Sequence, residues 1–241
     1  MDKLPLSHFL RSIGAECTAG TSKANIAAFE AASGLSLPPE ARELWTASNG
    51  FTIATRRDVL KVMALSECLG YLQSMRQLGI PQGWGYMPFA DLNDSNPYCI
   101  CCNEPMRGYI VRVHHDDSAE IVYRGLDSFL DAVRIACETS DDGRPSFRDL
   151  PHDFDGDHAH RTQQDVQTAF ALLGRVEQLD EDVEQADALR WAIALLDEAN
   201  VAEIVRLLDS GDQYCRKAAM ARLQAMKTPA AEEALLRYQR A

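Results

Sequence analysis

Residues 22–51 constrain the fold more than any other part of the sequence, because they predict two short amphipathic helices joined by a sharp corner. Ser22 is a suitable N-cap for the first helix, and Gly34 is a suitable stop because glycine tolerates the left-handed backbone of a helix end. Pro38 and Pro39 open the second helix, where a missing N–H loses no intrahelical hydrogen bond. Spacings of three and four residues predict the buried faces, which are Ile26, Phe29 and Ser33 in the first helix and Ala41, Leu44, Trp45 and Ser48 in the second.

The pair Asn49-Gly50 follows the second helix and is expected to close it, since both residue types adopt positive φ readily. With it, the stretch carries an ordered pattern: Ile26-x-x-Phe29-Glu30, Gly34, Leu37-Pro38 and Asn49-Gly50. Ordinary helix capping explains each element taken singly. The order and spacing together resemble the N-terminal signature of the SUKH superfamily, which includes a yeast regulator of cell-wall synthesis and many bacterial immunity proteins that neutralise secreted or contact-delivered toxins.

A second part of the resemblance lies in residues 86–138. A strand containing Pro-Phe-Ala leads into an acidic turn at 91–96, further strands follow, and a helix capped by Asp127 or Ser128 closes the domain. The resemblance implies an α+β fold, with a mixed or antiparallel sheet and helices packed against it. It also implies that the signature residues hold the fold rather than contact a partner; these are Phe29, Glu30, Gly34, Leu37, Pro38, Trp45, Asn49 and Gly50.

The C-terminal third has a helical pattern and no strand signal. Five helices are predicted, and residues 200–236 resemble a HEAT-type repeat, with a plain helical bundle as the alternative. The predicted organisation is an α+β domain at 1–140, a linker at 141–161 and an all-α, HEAT-like extension at 162–241. The stripes expected to be buried comprise Val166, Phe170, Leu173 and Val176; Ala188, Trp191, Leu195 and Leu196; Val201, Ile204, Val205 and Leu208; Ala218, Ala219, Leu223 and Met226; and Leu235 and Leu236.

The charge balance restricts the class of partner. The chain has a net charge of −12, and residues 151–241 alone carry 17 acidic and 10 basic side chains. Nucleic-acid binding requires positive charge, so it is not expected. An acidic surface attracts a basic protein partner, although the charge could equally serve solubility. The N-terminus lacks the features of a secretory signal, no apolar run is long enough to span a bilayer, and seven cysteines without framework spacing favour the cytoplasm.

No catalytic or cofactor motif is recognisable, so we expect neither an enzyme nor a cofactor. His152, Asp153, Asp155, Asp157, His158 and His160 lie close together in sequence, but they match no calcium loop and offer no second zinc ligand pair. An acidic linker is therefore preferred there. Cys99, Cys101 and Cys102 lie on a predicted strand, where they would not share one face.

We expect an immunity protein that covers a cognate toxin, a nuclease or deaminase with a basic cleft, by stoichiometric binding. The alternative is a regulatory scaffold whose helical repeats bind partners. The acidic run at 177–187 also permits simple helix capping, and Trp84 permits either core packing or a surface contact. The candidate partner-binding residues are Trp84, Asp91, Asp94, Asp116, Asp117, Glu120, Asp180, Glu181 and Asp182.

Overall fold

The structure is a computed structural model. It describes residues 6–54, 58–114, 119–139, 146–154, 160–179, 182–208 and 213–239, and every structural statement below concerns these ranges. The chain divides into two compact units, which are described separately. The first, here called the sheet unit, comprises Met1–Asp117 and Val122–His152, and the second, the helical unit, comprises Ser118–Ile121 and Asp153–Ala241.

A seven-stranded antiparallel sheet runs in sequence order from β1 to β7. Its strands are β1 (Glu16–Cys17), β2 (Phe51–Ala54), β3 (Val59–Val62), β4 (Tyr86–Asp91), β5 (Tyr98–Cys101), β6 (Ile110–Arg112) and β7 (Glu120–Tyr123). The helices of the sheet unit are α1 (Leu6–Ser12), α2 (Lys23–Ser33), α3 (Pro39–Ala47), α4 (Leu65–Gln77) and α5 (Leu126–Thr139). This architecture confirms the predicted α+β class.

The corner between α2 and α3 forms as predicted. The Ser22 hydroxyl accepts a hydrogen bond from the Asn25 N–H at 3.2 Å, and Gly34 ends α2 with a φ of +74°. The predicted inner faces of both helices are buried, with Trp45 fully so. The end of α3 differs from the prediction, because Ser48 caps it in an extended conformation and Gly50, with a φ of +98°, instead starts the chain into β2.

The other differences between the predicted and the observed sheet unit concern short strands and the start of one helix. The sequence does not predict β1 and β2, which have two and four residues. α5 begins at Leu126, ahead of the residues predicted to cap it.

The core of the sheet unit lies between the sheet and its helices, and it reaches into the predicted linker. Phe89 packs edge-on against Phe129 of α5, with ring centroids 5.1 Å apart. Phe147 and Leu150 are buried in the same cluster of apolar side chains. This part of the segment predicted as a linker at 141–161 therefore contributes to the core.

The helical unit contains α6 (Gln163–Leu173), α7 (Asp182–Leu195), α8 (Val201–Leu208), α9 (Gln213–Met226) and α10 (Pro229–Gln239). The prediction of an all-helical region is confirmed, but the prediction of which face of α6 is buried is wrong. Phe170 is 46% exposed, and the face carrying Asp165, Thr168, Ala169 and Leu172 is buried instead. Leu236 of α10 is also exposed. Residues 209–212, within the segment that resembles a HEAT-type repeat, lie outside the described residues, so the HEAT-like repeat stays a prediction.

Candidate partner-binding surface

The turn at residues 91–96, which begins at the last residue of β4, carries two of the acidic residues predicted as partner contacts in the sheet unit, Asp91 and Asp94. The Asp91 carboxylate accepts a hydrogen bond from the Asn93 N–H at 2.9 Å, and the Asp94 carboxylate accepts one from the Asn96 N–H at 3.1 Å. Asn93 and Ser95 both have positive φ. Each aspartate thus holds the backbone two residues further on, which is why this polar turn forms.

Basic side chains from neighbouring strands compensate part of this charge. Arg112 on β6 pairs with Asp94 and lies over the Tyr98 ring, 5.3 Å from its centroid. Lys61 on β3 is opposite Asp91 in the antiparallel register and pairs with Glu67. We call Lys61, Glu67, Asp91, Asp94 and Arg112 the acidic-loop patch; its three acids and two bases leave one formal negative charge.

The same two carboxylates contribute to a raised pKa of the Tyr71 hydroxyl on α4. Burial, followed by the charges of Asp91 and Asp94, raises the pKa of Tyr71 to about 12. Because the phenol stays protonated at neutral pH, it can act as a hydrogen-bond donor beside the loop. The patch therefore combines negative charge with a neutral donor, which suits a polar or cationic partner.

The remaining predicted acids are placed differently. Glu120 is exposed on β7, and Asp182 is exposed in the first turn of α7, where the helix dipole favours an acid. Asp116, Asp117, Asp180 and Glu181 lie outside the described residues. Of the predicted acids that the structure describes, it places Asp91 and Asp94 together on one loop.

The acidic run at 177–187 does not form one continuous exposed surface. Glu184 and Asp187 belong to this run, yet they are only 8% and 3% exposed. The Asp187 carboxylate lies 3.5 Å from the Arg190 guanidinium one turn along α7. These two acids therefore contribute to the interior of the helical unit. Their burial is not predictable from the sequence, because charged residues are seldom buried.

Trp84 is corrected from a candidate contact to a core residue. Its side chain is fully buried. The loop that carries it is folded back, since the Asn103 side-chain amide donates to the Gly83 carbonyl at 2.9 Å. A buried tryptophan cannot anchor a partner on the surface, so Trp84 stabilises the sheet unit instead.

The carboxylate of the signature residue Glu30 connects α2 to the corner and to α3. This carboxylate accepts hydrogen bonds from the Leu37 N–H at 2.7 Å and from the Arg42 guanidinium at 2.7 Å. Burial alone would raise the pKa of Glu30, but the hydrogen bonds from Arg42 and Leu37 and the charges of Arg42 and Arg107 outweigh it and lower the pKa. The ionised form is therefore favoured, and it fastens α2 to the corner before α3.

Arg107 is the functional side chain of this corner that sequence analysis missed. Its guanidinium donates to the backbone carbonyls of Ser36 at 2.8 Å and Leu37 at 2.9 Å, about 70 positions earlier in the chain. No periodicity or capping pattern links positions so far apart. The corner is thus held from both sides, which supports a structural role for the signature.

Three buried cysteines of the sheet unit, Cys68, Cys99 and Cys102, have little nucleophilic character. Burial raises the pKa of the Cys102 thiol to about 12, and it also raises the pKa values of Cys68 and Cys99. These thiols are protonated at neutral pH and are therefore poor nucleophiles and poor metal ligands.

No group of three or more potential metal ligands comes together within the described ranges. Asp155, Asp157 and His158 of the predicted cluster fall outside those ranges.

The fold and its acidic-loop patch define a class: an α+β domain with a sequential antiparallel sheet, a helical corner fastened by Glu30 and a polar loop between β4 and β5. Residues 20–132 match the model of the SMI1 / KNR4 family (SUKH-1), so this part of the chain is a domain of that family. SUKH is known as a family of immunity proteins. No curated protein matches the sequence. Within the described residues, no helix is long and apolar enough to cross a membrane.

Proposed function

We propose that this protein is a bacterial immunity protein that neutralises a cognate toxin by direct, stoichiometric binding. The observation that carries the proposal is the SUKH-1 domain over residues 20–132, since this family is known for immunity proteins. An acidic chain of net charge −12 supports a basic partner, because charge complementarity accelerates association. A nuclease or a nucleobase deaminase fits this description, since both kinds of enzyme bind a polyanionic substrate in a basic cleft.

The acidic-loop patch is our candidate for the contact with the toxin. Asp91 and Asp94 are half-buried in a turn whose shape their own side chains maintain, so the carboxylates are held before any partner arrives. Such preorganisation reduces the entropy lost on binding. Glu120 and Asp182, together with Asp116, Asp117, Asp180 and Glu181, complete the acids that we propose as contacts.

The first test is capture of the toxin from a lysate of the native organism by the full chain at low salt, followed by mass spectrometry. We expect one basic toxin in a 1:1 complex whose affinity falls as the salt concentration rises. Co-expression with the chain should then restore the growth of cells that produce the toxin. A chain that captures no toxin and does not restore growth would contradict the proposal.

Charge-neutral variants locate the contact. D91N/D94N retains the side-chain oxygens that hold the loop while removing two negative charges, and we expect it to bind the toxin at least tenfold more weakly. E16Q/E43Q removes two charges from exposed positions outside the patch and should stay within twofold of wild type. Equal effects of both variants would show that only net charge matters.

The regulatory scaffold is the second candidate function. It would bind several cellular proteins through the helical unit, with no toxin among them. The same capture experiment distinguishes the two functions, because scaffold partners should be retained by D91N/D94N. Purified protein with no bound metal, measured by plasma mass spectrometry, would also remove the remaining case for a metal enzyme at residues 152–160.

A further inference from the structure

A groove of about 660 Å³ lies between α8 and α10 of the helical unit. Both helices make their larger contacts with α9 and a smaller one with each other, so the space between them stays open. The floor of the groove is apolar: Val201 and Leu208 are buried there, and Val205, Ala234 and Tyr238 are half-buried. An apolar surface of this shape is suited to an apolar helix face.

The charges that line the groove are Glu198, Glu233 and Arg237. Glu233 pairs with Arg237 at 2.6 Å, one turn apart on α10. The lining therefore has one formal negative charge in excess, and residues 151–241 have seven more acidic than basic side chains. The charges of Glu198 and Asp197 also act on the partly buried Arg222 of α9, so the preference for a cationic occupant over an anionic one comes mainly from the acidic excess of the whole segment.

We propose that the groove between α8 and α10 binds a cationic amphipathic helix of a partner protein, with the apolar face of that helix on the floor and its Lys or Arg side chains beside Glu198. α8 has 8 residues and α10 has 11, so at about 1.5 Å per residue the groove accommodates roughly two to three turns of a partner helix. This groove shares no residue with the acidic-loop patch, so the inference goes beyond the proposed toxin contact.

Charge also argues against three other possible occupants of the groove, which are a second copy of the chain, nucleic acids and anionic lipids. A second copy of the chain would bring an equally acidic helical region, and the two would repel each other. Nucleic acids and anionic lipid surfaces are repelled for the same reason. A comparable groove of about 650 Å³ between α2 and α3 is a weaker candidate, because its lining includes the Glu30–Arg42 pair that holds the corner.

The test uses the full chain and a fluorescein-labelled 14-residue peptide of leucine and lysine whose leucines fall on one helix face. The control peptide has the same composition with its leucines spread around the helix. We expect fluorescence anisotropy to show binding of the amphipathic peptide and binding at least tenfold weaker for the control. Equal binding of the two peptides would overturn the proposal, because charge alone would then explain it.

Matched variants test the location. A234R places a long side chain in the groove and should weaken binding at least tenfold, whereas A221R makes the same change at an exposed position of α9 outside the groove and should stay within twofold. If A234R does not fold, A202R serves instead, because Ala202 lines the groove but is exposed. Wild-type affinity in a folded groove variant would overturn the proposal.

The charge contribution is tested with E198K, which should weaken binding several-fold and reduce its salt dependence. E177K adds the same positive charge at an exposed position outside the groove and should have a smaller effect. Mass photometry of the full chain provides the last arm, since a dimer that A234R dissociates would assign the groove to a second copy. All these measurements use the peptide or the chain alone, so their outcome is independent of whether a toxin is captured.

Discussion

The side chain of Asn49 accepts a hydrogen bond from the backbone N–H of Leu65 at 3.2 Å, sixteen residues later in the chain. Leu65 is the first residue of α4, and the N–H groups in the first turn of a helix have no hydrogen-bond partner within that helix. The signature asparagine therefore caps the start of the next helix rather than the end of its own. The Glu67 side chain supports the same end by accepting from the Ala64 N–H at 2.9 Å.

We expect N49A to destabilise the sheet unit by about 1 kcal/mol, because it removes an acceptor from a helix N-terminus. N49D should be close to wild type, since it keeps the oxygen and an acid is favourable at that end of a helix. Hydrogen exchange in peptides covering α4, read by mass spectrometry, measures the effect. Equal protection in N49A and wild type would refute the capping role.

Gly50 provides a second prediction about the signature. A Cβ at this position would lie 2.9 Å from the Ala64 nitrogen and 2.9 Å from the Val62 oxygen, and the φ of +98° is unfavourable for other residues. We therefore expect G50A to destabilise the sheet unit by about 2–3 kcal/mol. Urea denaturation checks this value.

The matched control for Gly50 is Gly70, which lies within α4 with open space around it. G70A should stabilise the sheet unit by about 0.5–1 kcal/mol, because alanine is the better residue inside a helix. A destabilising effect of similar size in both variants would contradict the assignment of a special backbone role to Gly50.

Glu30 makes the stability of the corner depend on pH. Its pKa is lowered in the folded chain, so the ionised carboxylate contributes stability that is fully present above the unfolded value of about 4.3 and is lost as pH falls through the folded value. E30Q should cost about 1–2 kcal/mol at pH 7, and its difference from wild type should shrink below about pH 4. Denaturation midpoints from pH 3 to 7 measure this.

The control for Glu30 is E43Q, which removes an exposed carboxylate from α3. It should change stability by less than about 0.5 kcal/mol at any of these pH values. If E30Q and E43Q show the same pH profile, the hydrogen bonds from Leu37 and Arg42 do not stabilise the corner.

Two buried tryptophans each donate one hydrogen bond to a backbone carbonyl. Trp191 Nε1 donates to Ala119 O at 2.9 Å within the helical unit, and Trp45 Nε1 donates to Met63 O at 3.0 Å within the sheet unit. W191F and W45F each leave a buried carbonyl without this donor, and we expect a loss of at least about 1 kcal/mol from each.

Hydrogen exchange locates the effect of each tryptophan variant. W191F should increase exchange in peptides of α7, and W45F should do so in peptides of α3 and β3. Unchanged exchange in α7 of W191F would show that the bond to Ala119 contributes little.

Local signals in the sequence were enough for much of the sheet unit. Ser22 and Gly34 mark the ends of α2 because capping depends on a few adjacent residues. Two-residue β1 was missed, since a strand that short has no periodicity of its own and exists only through pairing with β2. The buried face of α6 was predicted wrongly, because the apolar Phe170 was expected to be buried. The packing of α6 against α7 instead buries the face that carries Ala169 and Leu172.

The features of the candidate surface also fall into those that the sequence predicts and those that it does not. The acidic character of the chain, the position of the 91–96 turn and the signature of the SUKH-1 domain can be read from the sequence, because charge counts, turn residues and motif spacing are properties of short segments. The folded structure was needed to show that Trp84 and Asp187 are buried, that Arg112 compensates Asp94, and that Arg107 holds the corner. Burial and ion pairing depend on residues brought together from distant parts of the chain.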